Sequence, residues 1–329
     1  MKTETPRSRR GIGEIRPTGV YISVVTPVYN EEKNLPPFFE QLTSVLRQLG
    51  RPYEIVAVND GSTDGSALVL RDLAVRHQHM RVIEFQTNFG QTAALSAGIE
   101  EARGEIILSI DSDLENNPAD IPRLLLKLEE GYEVVSGWRQ GRWQNNFWMR
   151  RLPSKVANWL ISCMTGVYLH DYGCTLKAYR ADLIKGVKLY GEMHRFIPAY
   201  ASWRGGRVSE ISVSHEMRRH GKSNYGISRT LHVLLDLVVA VFMHRYMNRP
   251  MHFFGTYGFL SITLGVLAGL MSLFLRLFGI LHIVETPLPI LSTLLILVGV
   301  QLVLFGVMAE MIMRTYYESQ DKRPYVIKR

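Results

Sequence analysis

Two stretches in the last third of the chain limit its architecture more than any other feature. Residues 253–275, FFGTYGFLSITLGVLAGLMSLFL, and residues 288–309, LPILSTLLILVGVQLVLFGVMA, contain no charged side chain. A helix of either length rises about 30 Å, the thickness of a bilayer's hydrocarbon core. Arg276 follows the first stretch, and Glu310 and Arg314 follow the second. A pair of buried helices in a soluble core is the competing explanation, but uninterrupted apolar runs this long are uncommon there. A two-helix transmembrane segment is therefore expected over 251–314, with a tail at 315–329.

Positive charge sets the orientation. Arg218, Arg219, Lys222, Arg229, Arg245 and Arg249 precede the first stretch; Arg314, Lys322, Arg323, Lys328 and Arg329 follow the second; only Arg276 lies between. Lys and Arg accumulate on the cytoplasmic side of a membrane. Both termini and the polar part of the chain are thus expected in the cytoplasm, at the inner (plasma) membrane. Residues 225–250 place His232 and Asp236 inside an apolar run with basic ends. An amphipathic helix lying in the interface suits this pattern, with a third span as the alternative. Residues 1–20 have no apolar core and read as a disordered basic tail rather than a signal peptide. The net charge of +8 points to anionic partners. Cys163 and Cys174 form neither a metal-ligand pattern nor a disulfide framework, in keeping with a reducing compartment.

From 21 to 224 the pattern is that of a single α/β domain. Strands are predicted at 21–28, 53–58, 81–85, 105–110 and 133–137, and helices at 31–49, 64–77, 90–102 and 118–130. Near-continuous apolar strands alternating with helices give a doubly wound, mostly parallel sheet covered on both faces. Ligands of such sheets bind at the carboxyl ends of the strands. Neither a GxGxxG after the first strand nor a GxxxxGK[ST] occurs, which removes the main support for a dinucleotide-binding dehydrogenase or a P-loop NTPase.

The fourth strand runs into Asp111, Asp113 and Glu115, two residues apart. In an extended segment such residues share a face. Carboxylates that close repel and their pKa values rise, unless a divalent cation such as Mg²⁺ or Mn²⁺ is shared between them and substrate phosphates. The alternative is that these residues only end the strand and cap the helix opening at Pro118. The turn NDGSTDGS at 59–66 is equally open: ordinary turn chemistry, or a carboxylate placed to accept from a base N–H.

Four segments, SVVTPVYNEEKNLPPF, EIVAVNDGSTDGS, NFGQTAALSAGIEEARGEIILSIDSDLENNP and DYGCTLKAYR, resemble the inverting family 2 glycosyltransferases of GT-A fold. More narrowly they resemble the polyprenyl-phosphate glycosyltransferases: bactoprenol glucosyltransferases, enzymes charging the carrier with aminoarabinose derivatives, and dolichyl-phosphate mannose synthases. The resemblance extends over nearly the whole chain. It implies that Pro27, Tyr29, Glu31 and Asp60 hold the nucleoside, with Asp60 reading the base, and that Asn88 and Gly90 line the donor site. It also implies that Asp111 and Asp113 carry the metal and diphosphate. Glu115 stands where mannose synthases of this type have Gln, which makes it the weakest of the three as a ligand.

On the acceptor side, Arg139, Arg150 and Ser154 match positions where the family gathers the lipid phosphate, with Arg151 and Lys155 beside them. Trp143, Phe147, Trp148 and Trp159 interleave with these charges, as at a membrane interface. Nucleic acid is the other ligand of basic-aromatic surfaces, and the spans argue against it. A basic helix resting on acidic headgroups is the simpler alternative. His194–Arg195 and the loop 215–226, with Arg218 and Lys222, would close over the diphosphate as a lid, or form a solvated charged loop. Asp171 matches a family carboxylate often assigned as base. The reaction implied is transfer of a hexose, glucose from UDP-glucose in preference to a GDP-linked sugar, to undecaprenyl phosphate, with inversion. Two rivals remain: a membrane-anchored transferase acting on a glycan hydroxyl, and a non-catalytic sugar-nucleotide-binding scaffold. Two spans carrying a large cytosolic domain also make a homo-oligomer an expectation.

Overall fold

Strand β1 (Ile22–Val28) is buried along its whole length, as a strand covered on both faces must be. The computed structural model describes residues 19–140, 152–187, 189, 191–216, 227–246, 249–279 and 286–319. After β1 come α1 (Leu35–Gln48), β2 (Tyr53–Asn59), α2 (Ser66–Arg76), β3 (Met80–Glu84), α3 (Gln91–Glu101) and β4 (Ile106–Ser109). A 3-10 turn at Pro118–Asp120 leads into α4 (Ile121–Glu129) and β5 (Val134–Arg139). Then follow α5 (Leu152–Thr165), β6 (Lys177–Arg180), α6 (Ala181–Ile184), a 3-10 turn at Met193–Phe196, α7 (Ile197–Trp203) and β7 (Val208–Val213). The last elements are α8 (Ile227–Tyr246), α9 (Pro250–Leu277) and α10 (Leu288–Ser319).

The sheet has seven strands in the order β3-β2-β1-β4-β6-β5-β7. Val24 of β1 lies opposite Ile55 of β2 and Leu108 of β4, both parallel. The core is built on those strands and on α1, which opens at Leu35-Pro36 and turns Leu35, Phe38, Phe39, Leu42 and Leu46 inward at helical spacing. Strand order reverses at β1, which puts the switch point where ligands of such sheets bind outside the carboxyl ends of β1 and β4.

The sequence pattern predicts five strands, and the described residues form seven. The additional pair, β6 and β7, reads KAYR and VSEISV. β6 runs antiparallel to both neighbours, β4 and β5. Its Lys177, Ala178 and Tyr179 are buried because β4 and β5 enclose it, not because its own pattern is apolar.

The chain divides into two compact units, Met1–Leu237 and Val238–Arg329. In the second, α9 and α10 are long and apolar enough to cross a membrane, with mean hydropathies of 2.1 and 2.5 over their most apolar stretches. They pack antiparallel through glycines. A Cβ on Gly258 would lie 2.9 Å from the Gly299 carbonyl oxygen, and one on Gly265 would lie 2.9 Å from that of Ser292. Ser292 Oγ donates to the Gly265 carbonyl at 2.7 Å. Close backbone approach and interhelical hydroxyl bonds are the means by which helices associate in lipid.

Candidate active site

The loops leaving β1 and β2 are laced together. Asn30 adopts a positive φ of 56°, a conformation asparagine tolerates better than most residues, and its Oδ1 accepts from the Thr63 N–H at 2.8 Å. The Glu31 N–H donates to Ser66 Oγ at 2.9 Å. These bonds hold Tyr29, which is exposed, and Glu31 above the end of the strand. Pro27 lies within β1 and its carbonyl accepts from Ser112 Oγ at 3.3 Å.

Asp60 is buried at the end of β2. Its carboxylate accepts from the Phe89 N–H at 2.7 Å, the Gly90 N–H at 2.9 Å and Asn88 Nδ2 at 3.0 Å. The structure thus brings Asp60, Asn88 and Gly90 together, and gives Asp60 a task absent from the sequence reading: it anchors the loop that starts α3. Gly90, at φ 92°, makes the turn that a side chain would strain.

Beyond β4 the chain does not stay extended. Leu114 is buried with φ 62°, and the Glu115 N–H turns back onto Asp113 Oδ1 at 3.0 Å. The shared face expected for Asp111, Asp113 and Glu115 is therefore replaced by a turn. Asp111 and Asp113 remain neighbours. Burial first, and the Asp113 charge second, push the Asp111 carboxyl up to about 7. Gln91 Nε2, from the first turn of α3, donates to Asp111 Oδ1 at 2.8 Å. Glu115 instead faces Arg139, with Oε2 at 3.6 Å from Nη1.

Arg139, at the end of β5, is buried and forks onto Asp171, with Nε to Oδ2 at 2.8 Å and Nη2 to Oδ1 at 3.2 Å. Planar bidentate pairing is the strongest form of this contact. The structure thus points the Arg139 guanidinium at two carboxylates, where the resemblance implies an acceptor phosphate. Arg195 comes to the same place. A Cβ on Gly173 would lie 3.3 Å from Arg195 Nη1, 3.4 Å from Arg139 Nη2 and 3.4 Å from Asp171 Oδ1. Lys177, buried beneath them, donates to the Tyr172 carbonyl at 3.1 Å, and burial lowers its pKa to about 8. Lys155 is exposed on α5, and Ser154 lies in the same helix. Arg150, Arg218 and Lys222 lie outside the described residues.

Three residues enter the site that the sequence did not single out: Gln91 on Asp111, Thr92 and Lys177. Thr92 Oγ1 lies 2.6 Å from His194 Nδ1, which ties α3 to the turn carrying Arg195. All three lie in segments that carry the family resemblance, Gln91 and Thr92 in NFGQT and Lys177 in DYGCTLKAYR, but no spacing marked them individually.

Among the described residues no group of three or more His, Cys, Asp or Glu side chains is arranged to hold a metal. Two neighbouring carboxylates, one with its pKa raised to about 7 by burial and by the other's charge, still fit Mg²⁺ or Mn²⁺. Such ions take one or two protein carboxylates and complete their shell with substrate phosphates and water.

The family model for glycosyl transferase family 2 matches residues 23–187. The chain belongs to that family. This family 2 member is 43% identical to a dodecaprenyl-phosphate galacturonate synthase of Rhizobium johnstonii over 93% of its own length and 92% of the relative's. It is 35% identical to an undecaprenyl-phosphate 4-deoxy-4-formamido-L-arabinose transferase of Shewanella sediminis, over 94% and 92% of the two chains. Among solved structures it resembles glucosyl-3-phosphoglycerate synthase from Mycobacterium tuberculosis in complex with Mn²⁺, UDP and phosphoglyceric acid. The TM-score is 0.51 at 20% identity, over 69% of this chain and 78% of that one. That likeness establishes the GT-A type fold of the family 2 domain.

Proposed function

We propose that the protein transfers a sugar from a UDP-linked donor to a polyprenyl phosphate at the cytoplasmic face of the inner membrane, with inversion at the anomeric carbon. The observation that carries this reading is the likeness to two proteins named as polyprenyl-phosphate sugar transferases, which runs through the sheet domain and the apolar hairpin alike. The 43% identical relative supports a hexuronic acid as the sugar, in place of the glucose expected from the sequence.

In this reading Pro27, Tyr29, Glu31 and the Asp60–Asn88–Gly90 anchor form the nucleoside side of the site. Asp111 and Asp113 hold Mg²⁺ or Mn²⁺, with Gln91 orienting Asp111. When bound, the cation neutralises charge building on the departing nucleoside diphosphate. The nucleophile is a phosphate monoester oxygen. Its second pKa of about 6 leaves it largely ionised near neutral pH, so no strong base is required. Asp171, fixed by Arg139, then serves to orient the acceptor. Arg195 meets the diphosphate, and Arg218 and Lys222, outside the described residues, are the further cations assigned to it. Arg150, Ser154 and Lys155 receive the acceptor phosphate. Lys155 and Trp159 are exposed four residues apart on α5, hence on one face, which supports a membrane-facing surface there. Single displacement gives a β-linked product from an α-linked donor.

A thermal-shift panel of UDP-galacturonate, UDP-glucose and GDP-mannose, each with and without Mn²⁺, tests the donor side. The expected result is stabilisation by the UDP sugars, greatest for the uronic acid, and only with the cation. A larger shift with GDP-mannose, or shifts indifferent to Mn²⁺, would overturn it.

A further inference from the structure

Helix α8 carries one acidic residue, Asp236, in an otherwise apolar stretch. A carboxylate on such a face is costly unless bonded. Asp236 is bonded: its Oδ2 accepts the Glu192 N–H at 2.7 Å. The approach depends on Gly191, at φ 53°, because a Cβ there would lie 2.6 Å from the same oxygen. Glu192 in turn accepts from Arg195 Nε at 3.1 Å through its Oε2. Arg195 ends beside Asp171 and Arg139 around Gly173. On its other side the turn is held by His194 against Thr92 of α3, and α3 also carries Gln91 against Asp111.

We propose that Asp236 is a positioning residue for sugar transfer: it fixes the 191–196 turn and, through Glu192, aims the Arg195 guanidinium at the reacting groups. A turn of six residues with a left-handed glycine has several accessible conformations. Clamps at both ends leave Arg195 few places to go, and preordering of that kind lowers a barrier. The inference rests on the proposed transfer reaction, since it gives Arg195 its part there. By chain connectivity α8 continues to Tyr246, and α9 starts at Pro250. The clamp therefore belongs to the helix that precedes the apolar hairpin in the chain.

The test uses the full chain in detergent with UDP-galacturonate, Mn²⁺ and polyprenyl phosphate. Asp236→Leu is expected to lower kcat about tenfold or more, while the KM for donor stays within about twofold and the unfolding temperature holds. Asp236→Asn keeps an accepting oxygen and is expected to restore most of kcat. Gly191→Ala, which displaces the carboxylate without removing it, is expected to reproduce the Asp236→Leu loss. Arg195→Ala and the double variant Arg195→Ala/Asp236→Leu are expected to have the same kcat, because both remove one device. Hydrogen exchange across 191–196 is expected to lose protection in Asp236→Leu. Wild-type kcat in that variant, unchanged exchange, or losses that multiply in the double variant would each overturn the proposal. A wild-type protein that transfers no sugar would instead overturn the proposed reaction, and the exchange measurement would still decide the clamp.

Discussion

Arg139 and Asp171 show how one buried pair separates structural from chemical roles. Removing one partner of a buried ion pair leaves an uncompensated charge and costs about 3–5 kcal/mol. Arg139→Ala is therefore expected to lower thermal stability by that amount, and Arg139→Ala/Asp171→Ala by less, as read by calorimetry. A single variant with wild-type stability would contradict the pairing. Lys177 gives a pH signature. Burial lowers its pKa to about 8, whereas an unfolded lysine titrates near 10.4. Between those values the unfolded chain holds the extra proton, so stability rises with pH; below about 8 the full cost of burying the ammonium remains. Lys177→Met is expected to be more stable than wild type at pH 7, and to lose that advantage as pH approaches 10. An advantage constant from pH 7 to 10 would contradict it.

The hairpin of α9 and α10 depends on backbone contact that any side chain would break. A Cβ on Gly299 would meet the Gly258 carbonyl oxygen at 2.7 Å. Gly258→Leu is expected to cost about 1–3 kcal/mol through overpacking, seen as a lower unfolding temperature in detergent. Leu270→Ala, at an exposed position of α9, is expected to change it little. Equal effects would mean that the two helices do not pack through their glycines. These helices were legible because period and length suffice to find an uncharged span. The strands β1, β2 and β4 were legible for a similar reason, since each is a near-continuous apolar run. β6 was not: KAYR becomes a strand only because β4 and β5 pair with it. The carboxylates at 111 and 113 were visible, but the positive φ of Leu114 was not, so the extended face expected to carry Glu115 with them gave way to a turn.

Across the whole molecule, what escaped the sequence is what joins distant segments. Gln91 meets Asp111 twenty residues on, and Glu192 meets Asp236 forty-four residues on. No local period encodes such contacts. What the sequence did carry was the pairing of a nucleotide-sugar domain with an apolar hairpin, and that pairing is what the proposed reaction needs. The decisive measurement is transfer of radiolabelled sugar from UDP-galacturonate or UDP-glucose to polyprenyl phosphate by the full chain in bilayers, with Mn²⁺ or with EDTA. Labelled lipid is expected from the wild type with Mn²⁺, and none with EDTA. The Asp113→Asn variant is expected to be slower by about a hundredfold or more, the loss of several kcal/mol of leaving-group stabilisation. Label appearing on a soluble glycan instead of the lipid, or lipid labelling that survives both EDTA and Asp113→Asn, would contradict the account.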